Sequence, residues 1–138
     1  MDIQQITWND QLFALIIYNQ SQEEGVRFFT PDDNALQVGK HFYQSGKIIK
    51  PHCHCPIEIA SSGSPQEVLY IQEGKVRVTF YTREGKKIDS KILSRGDILL
   101  LREGGHGFEF LEKTEMLEIK QGPYNPESKK PLEVKNKL

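Results

Sequence analysis

Apolar and polar residues alternate along residues 75–81, KVRVTFY, so that Val76, Val78 and Phe80 fall on one side and Arg77, Thr79 and Tyr81 on the other. A period of two marks a strand with one buried face. Runs of similar length recur at Val26–Phe29, Ala35–Tyr43, Lys47–His54, Glu67–Gln72, Ile88–Leu93, Asp97–Leu101, His106–Leu111 and Met116–Gln121. Turn residues punctuate them at Thr30–Asp33, Ser45-Gly46, Glu73-Gly74 and Arg83–Lys86. Cys55–Gln66 holds two prolines, a glycine and three serines and reads as a loop. Many short strands separated by glycine-bearing turns predict an all-β sandwich or barrel. One stretch departs from the pattern. Asn9–Gln20, NDQLFALIIYNQ, reads as a short amphipathic helix with Asn9 as N-cap and Leu12, Leu15 and Ile16 on one face. After Gly122, three prolines and a run of lysines predict an extended surface tail.

The 138 residues make one domain. Residues 1–34 form a helix-and-strand extension, residues 35–121 the barrel and residues 122–138 the tail. Eighteen basic against nineteen acidic residues leave a net charge of −1. Such a balance gives no field to hold a phosphate backbone, which argues against nucleic acid as a partner. No apolar run approaches the roughly 20 residues that span a bilayer. The opening MDIQQITWNDQ has neither a basic segment nor an apolar cleavable one, so the expected location is the cytoplasm. Cys53 and Cys55 are too close to bridge without strain and read as free thiols.

The sharpest chemical feature is His52-Cys53-His54. On a strand, His52 and His54 point to the same face and Cys53 away, which is how one strand offers two imidazoles to one metal ion. The same pair on an exposed strand would do nothing. The surroundings favour the metal: Gly46 precedes in the pattern G-x5-H-x-H, Glu67 begins E-x6-G ending at Gly74, and Gly96-Asp97 opens a strand followed by Gly104-Gly105-His106. A closed sheet can bring these three strands together.

This order of motifs, over residues 46–106, resembles the two motifs of the cupin superfamily. The resemblance implies a double-stranded β-helix, the jelly-roll barrel, holding one divalent transition metal ion (iron, manganese, nickel or zinc). It implies His52, His54 and Glu67 as ligands from the first motif and His106 from the second. The first motif departs from the family by its spacing, since twelve residues separate His54 from Glu67. Glu58 stands at the usual spacing and is a rival ligand. Glu67 is preferred because a strand and a glycine follow it. In the second motif Arg102 replaces the usual proline, and His106 comes one residue early. The stretch Gly104–Tyr124 resembles short cupins encoded in bacterial surface-polysaccharide gene clusters. This implies a sugar or sugar nucleotide as the small-molecule ligand, in an isomerase or epimerase type of reaction.

Other residues carry weaker expectations. Tyr70 and Arg77 flank the Gly74 turn and are candidates to contact an anionic substrate. Glu109 and Glu118 interrupt apolar strands, and either would move protons if it faced the barrel interior. Cys55 is a possible extra ligand. His41 reads as a surface residue, and Trp8, Phe28, Phe29, Phe108 and Phe110 as core. Three classes of function are open: a metal-dependent isomerase or epimerase (with iron, a dioxygenase), a metal-anchored small-ligand binding module, and a metal-free structural barrel. Barrels of this kind commonly cover their edges by pairing, so a homodimer is expected.

Overall fold

The computed structural model describes residues 3–17, 21–54, 65–101, 103–123, 125–127 and 129–135. Twelve strands run in chain order: β1 (Ile3–Trp8), β2 (Gln11–Ile17), β3 (Gly25–Phe28), β4 (Leu36–Tyr43), β5 (Ile48–His54), β6 (Glu67–Glu73), β7 (Lys75–Tyr81), β8 (Lys87–Ser94), β9 (Ile98–Leu101), β10 (Gly105–Phe110), β11 (Thr114–Gln121) and β12 (Lys129–Pro131). Two five-stranded antiparallel sheets form the jelly roll, in the orders β12-β5-β10-β7-β8 and β3-β4-β11-β6-β9. Among the described residues no helix is long and apolar enough to cross a membrane.

The expected N-terminal helix is not there. Residues 11–17 form β2, which pairs with β1 in a separate hairpin with Trp8 opposite Gln11. The turn between them is Asn9-Asp10, both at positive φ, 48° and 59°. Two successive left-handed residues close a tight hairpin, and Asn and Asp tolerate that conformation best. The same side chains that favour a helix N-cap favour such a turn, so Asn9 alone does not decide between the two. Residues 18–20 lie outside the described residues. The described part of the tail is extended and exposed, as expected, and it joins a sheet. Its β12 adds an edge strand beside β5, with Lys129 opposite His54 and Pro131 opposite His52.

Alternation along the inner strands divides the barrel into a dry end and a polar end. On β10 the inward residues are His106, Phe108 and Phe110; on β6 they are Glu67, Leu69 and Ile71. On β11, which runs antiparallel to β6, they are Thr114, Met116 and Glu118. The apolar ends of these rows join Tyr43, Val76, Val78 and Leu101 in one buried cluster. Burying such side chains contributes on the order of 2 kcal/mol each, which allows the opposite end to carry polar groups at a cost in stability.

Candidate metal centre

A bulge sets the histidines. On β5 and β10, His52 is opposite His106, but the next paired residues are Ile49 and Phe108, so the register shifts between them. A bulge re-aims side chains on the strand that carries it. Here it keeps His52 inward despite the three-residue step from Ile49. Gly107 allows the close approach at this point, since a Cβ there would lie 3.1 Å from Pro51 Cγ and 3.2 Å from its nitrogen.

The three imidazoles converge. Ring centroids are 4.6 Å apart for His52 and His106, 5.3 Å for His52 and His54, and 5.7 Å for His54 and His106. One ring nitrogen from each lies within 4.8 Å of the other two. Glu67 reaches the group from the facing sheet, with Oε1 2.7 Å from His54 Nε2. That approach lacks hydrogen-bond geometry, and Glu67 Oε1 and His106 Nε2 are both buried without a hydrogen-bond partner. Buried polar atoms left unpaired are costly. Unpaired electron-pair donors converging on one point are what a cation would satisfy.

The protonation states agree. His52 Nδ1–H donates to the Lys50 carbonyl at 2.9 Å, which leaves Nε2 as the lone-pair nitrogen. Burial lowers the pKa of His52 to about 4 and of His106 to about 3, so both are neutral near pH 7. Neutral imidazole is the ligand form. The three convergent imidazoles therefore fit a divalent transition metal ion, and the Glu67 carboxylate stands against His54 as the candidate fourth ligand.

A second polar group faces the same space. His41 Nε2 lies 2.5 Å from Glu118 Oε2, and His41 Nδ1 lies 3.3 Å from the Tyr43 hydroxyl. A carboxylate only accepts, so Nε2 carries a proton, and in the neutral form of His41 Nδ1 keeps its lone pair. Burial pushes the Glu118 carboxyl up, but the hydrogen bond and charge of His41 outweigh it and hold the group ionised. Burial, with the charges of Glu118 and Glu24, raises the Tyr43 phenol, which stays protonated. Both groups line a cavity of about 580 Å³ together with His52, His54, Glu67 and His106.

The other sequence candidates lie elsewhere. Leu69, Ile71, Val76, Val78, Phe108 and Phe110 take the inward positions, so alternation turns Tyr70, Arg77 and Glu109 outward. Arg77 and Glu109 pair with each other on the outer face, and neither they nor Tyr70 line the cavity. Glu58, Cys55 and Arg102 lie outside the described residues, while Cys53 is a free, half-buried thiol. His41, read from the sequence as a surface residue, faces the cavity instead. The available signal was its place two residues before Tyr43 on one strand face. Lys129 was missed because a proline-broken tail gives no strand pattern.

No protein-family model matches the sequence, and no curated protein matches it. Solved structures do. A tryptophan variant of oxalate decarboxylase from Bacillus subtilis aligns with 80% of this chain and 29% of its own, at 23% identity and a TM-score of 0.62. The enzyme at pH 4.6 gives the same values. A structure of the same enzyme concerned with its Mn(II) centres aligns at 23% identity with a TM-score of 0.61. The chain spans 29% of the length of these decarboxylase chains, and the likeness is one of fold. Two facing antiparallel sheets, with the histidine cluster at the polar end between them, give this chain the jelly-roll fold that it shares with these decarboxylase structures.

Proposed function

We propose that the protein is a metal-dependent enzyme that moves a proton on a small carbonyl compound, in an isomerisation or epimerisation. The observation that supports this reading is the shared cavity, which places the His52, His54, Glu67 and His106 cluster and the Glu118–His41–Tyr43 chain around one space of metabolite size. A divalent ion held by the four ligands would supply Lewis acidity to a substrate carbonyl. His41 Nδ1 takes the proton from the carbon beside that carbonyl, and the electron pair of the broken C–H bond moves onto the carbonyl oxygen. Glu118 fixes the imidazole and balances the charge that His41 gains, as the carboxylate does in a serine hydrolase triad. The Tyr43 hydroxyl, next to Nδ1, carries the proton back to the neighbouring carbon or the opposite face. The dry inner end of the barrel lets these groups work away from bulk water. A sugar or sugar nucleotide of surface-polysaccharide synthesis is the substrate class that the sequence resemblance favours.

The test has two parts. Elemental analysis of untagged protein should find near one equivalent of a transition metal per chain. Incubation with keto and aldo sugar derivatives in deuterated water should then place deuterium at a single carbon. Protein that takes up no metal after reconstitution would sink the reading.

A further inference from the structure

Two acidic side chains line the cavity: Glu67, with Oε1 against His54, and Glu118, which is held by His41 and also feels the charge of Lys120. Three lysines line the same cavity, Lys47, Lys120 and Lys129, and no arginine does among the described residues. Lys120 Nζ sits 4.5 Å from the Phe28 ring centroid and Lys47 Nζ 6.0 Å from that of Tyr43, so both stems lie along the cavity wall. Lys129 arrives from the C-terminal tail. Its position on β12, directly opposite His54, brings it to the metal end of the cavity. The next residue, Lys130, is opposite Cys53 and does not line the cavity.

Clustered ammonium groups bear on the ligand. They favour a group that concentrates negative charge, and a phosphate carries about two charges on one centre where a carboxylate carries one. Lys120 is opposite Glu67 and Lys129 opposite His54, so these two charges stand at the same end of the cavity, with Lys47 at the other end of β5, and in a protein whose net charge is −1 they form a local field rather than a general one.

We propose that the cavity binds a phosphate-bearing small molecule, with Lys129 of the tail contacting the phosphate alongside Lys120, and the rest of the molecule directed past the histidine cluster along the cavity. This rests on the cavity being the ligand site, as in the function proposed above, but not on turnover. It also gives the tail a role, since Asn125 and Pro126 form part of the same wall.

Calorimetric titration of the full chain, with its metal content measured first, tests this. The probes are inorganic phosphate, pyrophosphate and uridine diphosphate, with succinate as the carboxylate comparison. Pyrophosphate or uridine diphosphate should bind more tightly than succinate. Lys129→Gln should weaken that binding about tenfold, the loss of roughly one favourable charged contact, and Lys130→Gln should leave it unchanged. With Mn(II) loaded, the phosphorus resonance of the bound probe should broaden. Equal loss in the Lys130 variant, no loss in the Lys129 variant, or succinate binding as tightly as the phosphates would overturn the proposal. One equivalent of metal with no phosphate binding would overturn this inference and leave the metal reading intact. Phosphate binding without metal uptake would sink the metal reading and leave this one standing.

Discussion

Glu118 Oε2 lies 2.5 Å from His41 Nε2, although 77 residues separate them in the chain. The strand register explains the meeting. On neighbouring strands β4 and β11, Glu118 is opposite Gly39 and His41 is opposite Met116, so the two side chains are diagonal neighbours on the inner face. Gly39, opposite Glu118, makes room for the Phe28 ring of β3, which a Cβ there would approach within 2.7 Å. If this pair moves a proton, His41→Asn and Glu118→Gln should each lower turnover by roughly 100-fold or more. Metal content should stay near that of the unaltered protein. Turnover retained in both variants would assign the pair a structural role.

The four proposed ligands should behave as a unit. Removing His106 or His52 with alanine leaves the remaining donors around a buried gap. Metal affinity should then fall by more than the roughly 10–100-fold that follows loss of a supporting hydrogen bond to a ligand. Glu67→Gln keeps the shape and removes the charge, so it separates coordination from packing. Equilibrium dialysis against a coloured chelator measures all three. Unchanged affinity in the Glu67 variant would exclude Glu67 from the ligand set and turn attention to Glu58.

Stability of the chelator-treated protein should depend on acid in a defined direction. The folded-state pKa values of His52 and His106, about 4 and about 3, lie below the ordinary histidine value of about 6.5, chiefly through burial. Above pH 6.5 neither state binds these protons and there is no penalty. As pH falls below that value the unfolded chain takes up protons that the folded chain refuses. Stability is therefore lost between about pH 6.5 and pH 4, at up to about 1.4 kcal/mol per pH unit for each histidine. Denaturant midpoints measured at half-unit steps would show the decline, and a flat profile over that window would contradict it.

Most of the barrel was legible because strands with one wet and one dry face write their period directly into the sequence. The runs read at Lys75–Tyr81 and Lys47–His54 fall within a residue of β7 and β5. The cluster of His52, His54, Glu67 and His106 followed from motif order, although the long segment before Glu67 disguised it. What failed has physical causes. Asn9 and Asp10 suit a helix start and a hairpin turn alike, and the apolar run behind them fits either period. Arg77 and Glu109 are placed by parity, and one residue of register decides inside or outside. Glu118 obeys the same rule in the other direction. His41 and Lys129 depend on which strands become neighbours, a property of the closed fold that no local window contains.

Gly74, the last position of E-x6-G, ties the motif to the fold. It has φ +96°, a region that side chains other than glycine rarely enter. A Cβ there would also fall 2.5 Å from Thr114 Oγ1 and 2.7 Å from Thr114 Cα. Thr114 is fully buried, accepts a hydrogen bond from the Lys75 amide at 3.2 Å and donates to the Glu112 carbonyl at 2.8 Å. It has no freedom to retreat. Left-handed strain of about 1–2 kcal/mol therefore adds to a clash with backbone, and Gly74→Ala should destabilise by about 2–4 kcal/mol. That corresponds to a fall in Tm of about 10 °C. The turn lies at the far end of β6 from Glu67, so metal affinity measured on the folded fraction should hold. A variant as stable as the parent would mean that the turn can flip to another geometry, and the motif glycine would then need an explanation at the cavity instead.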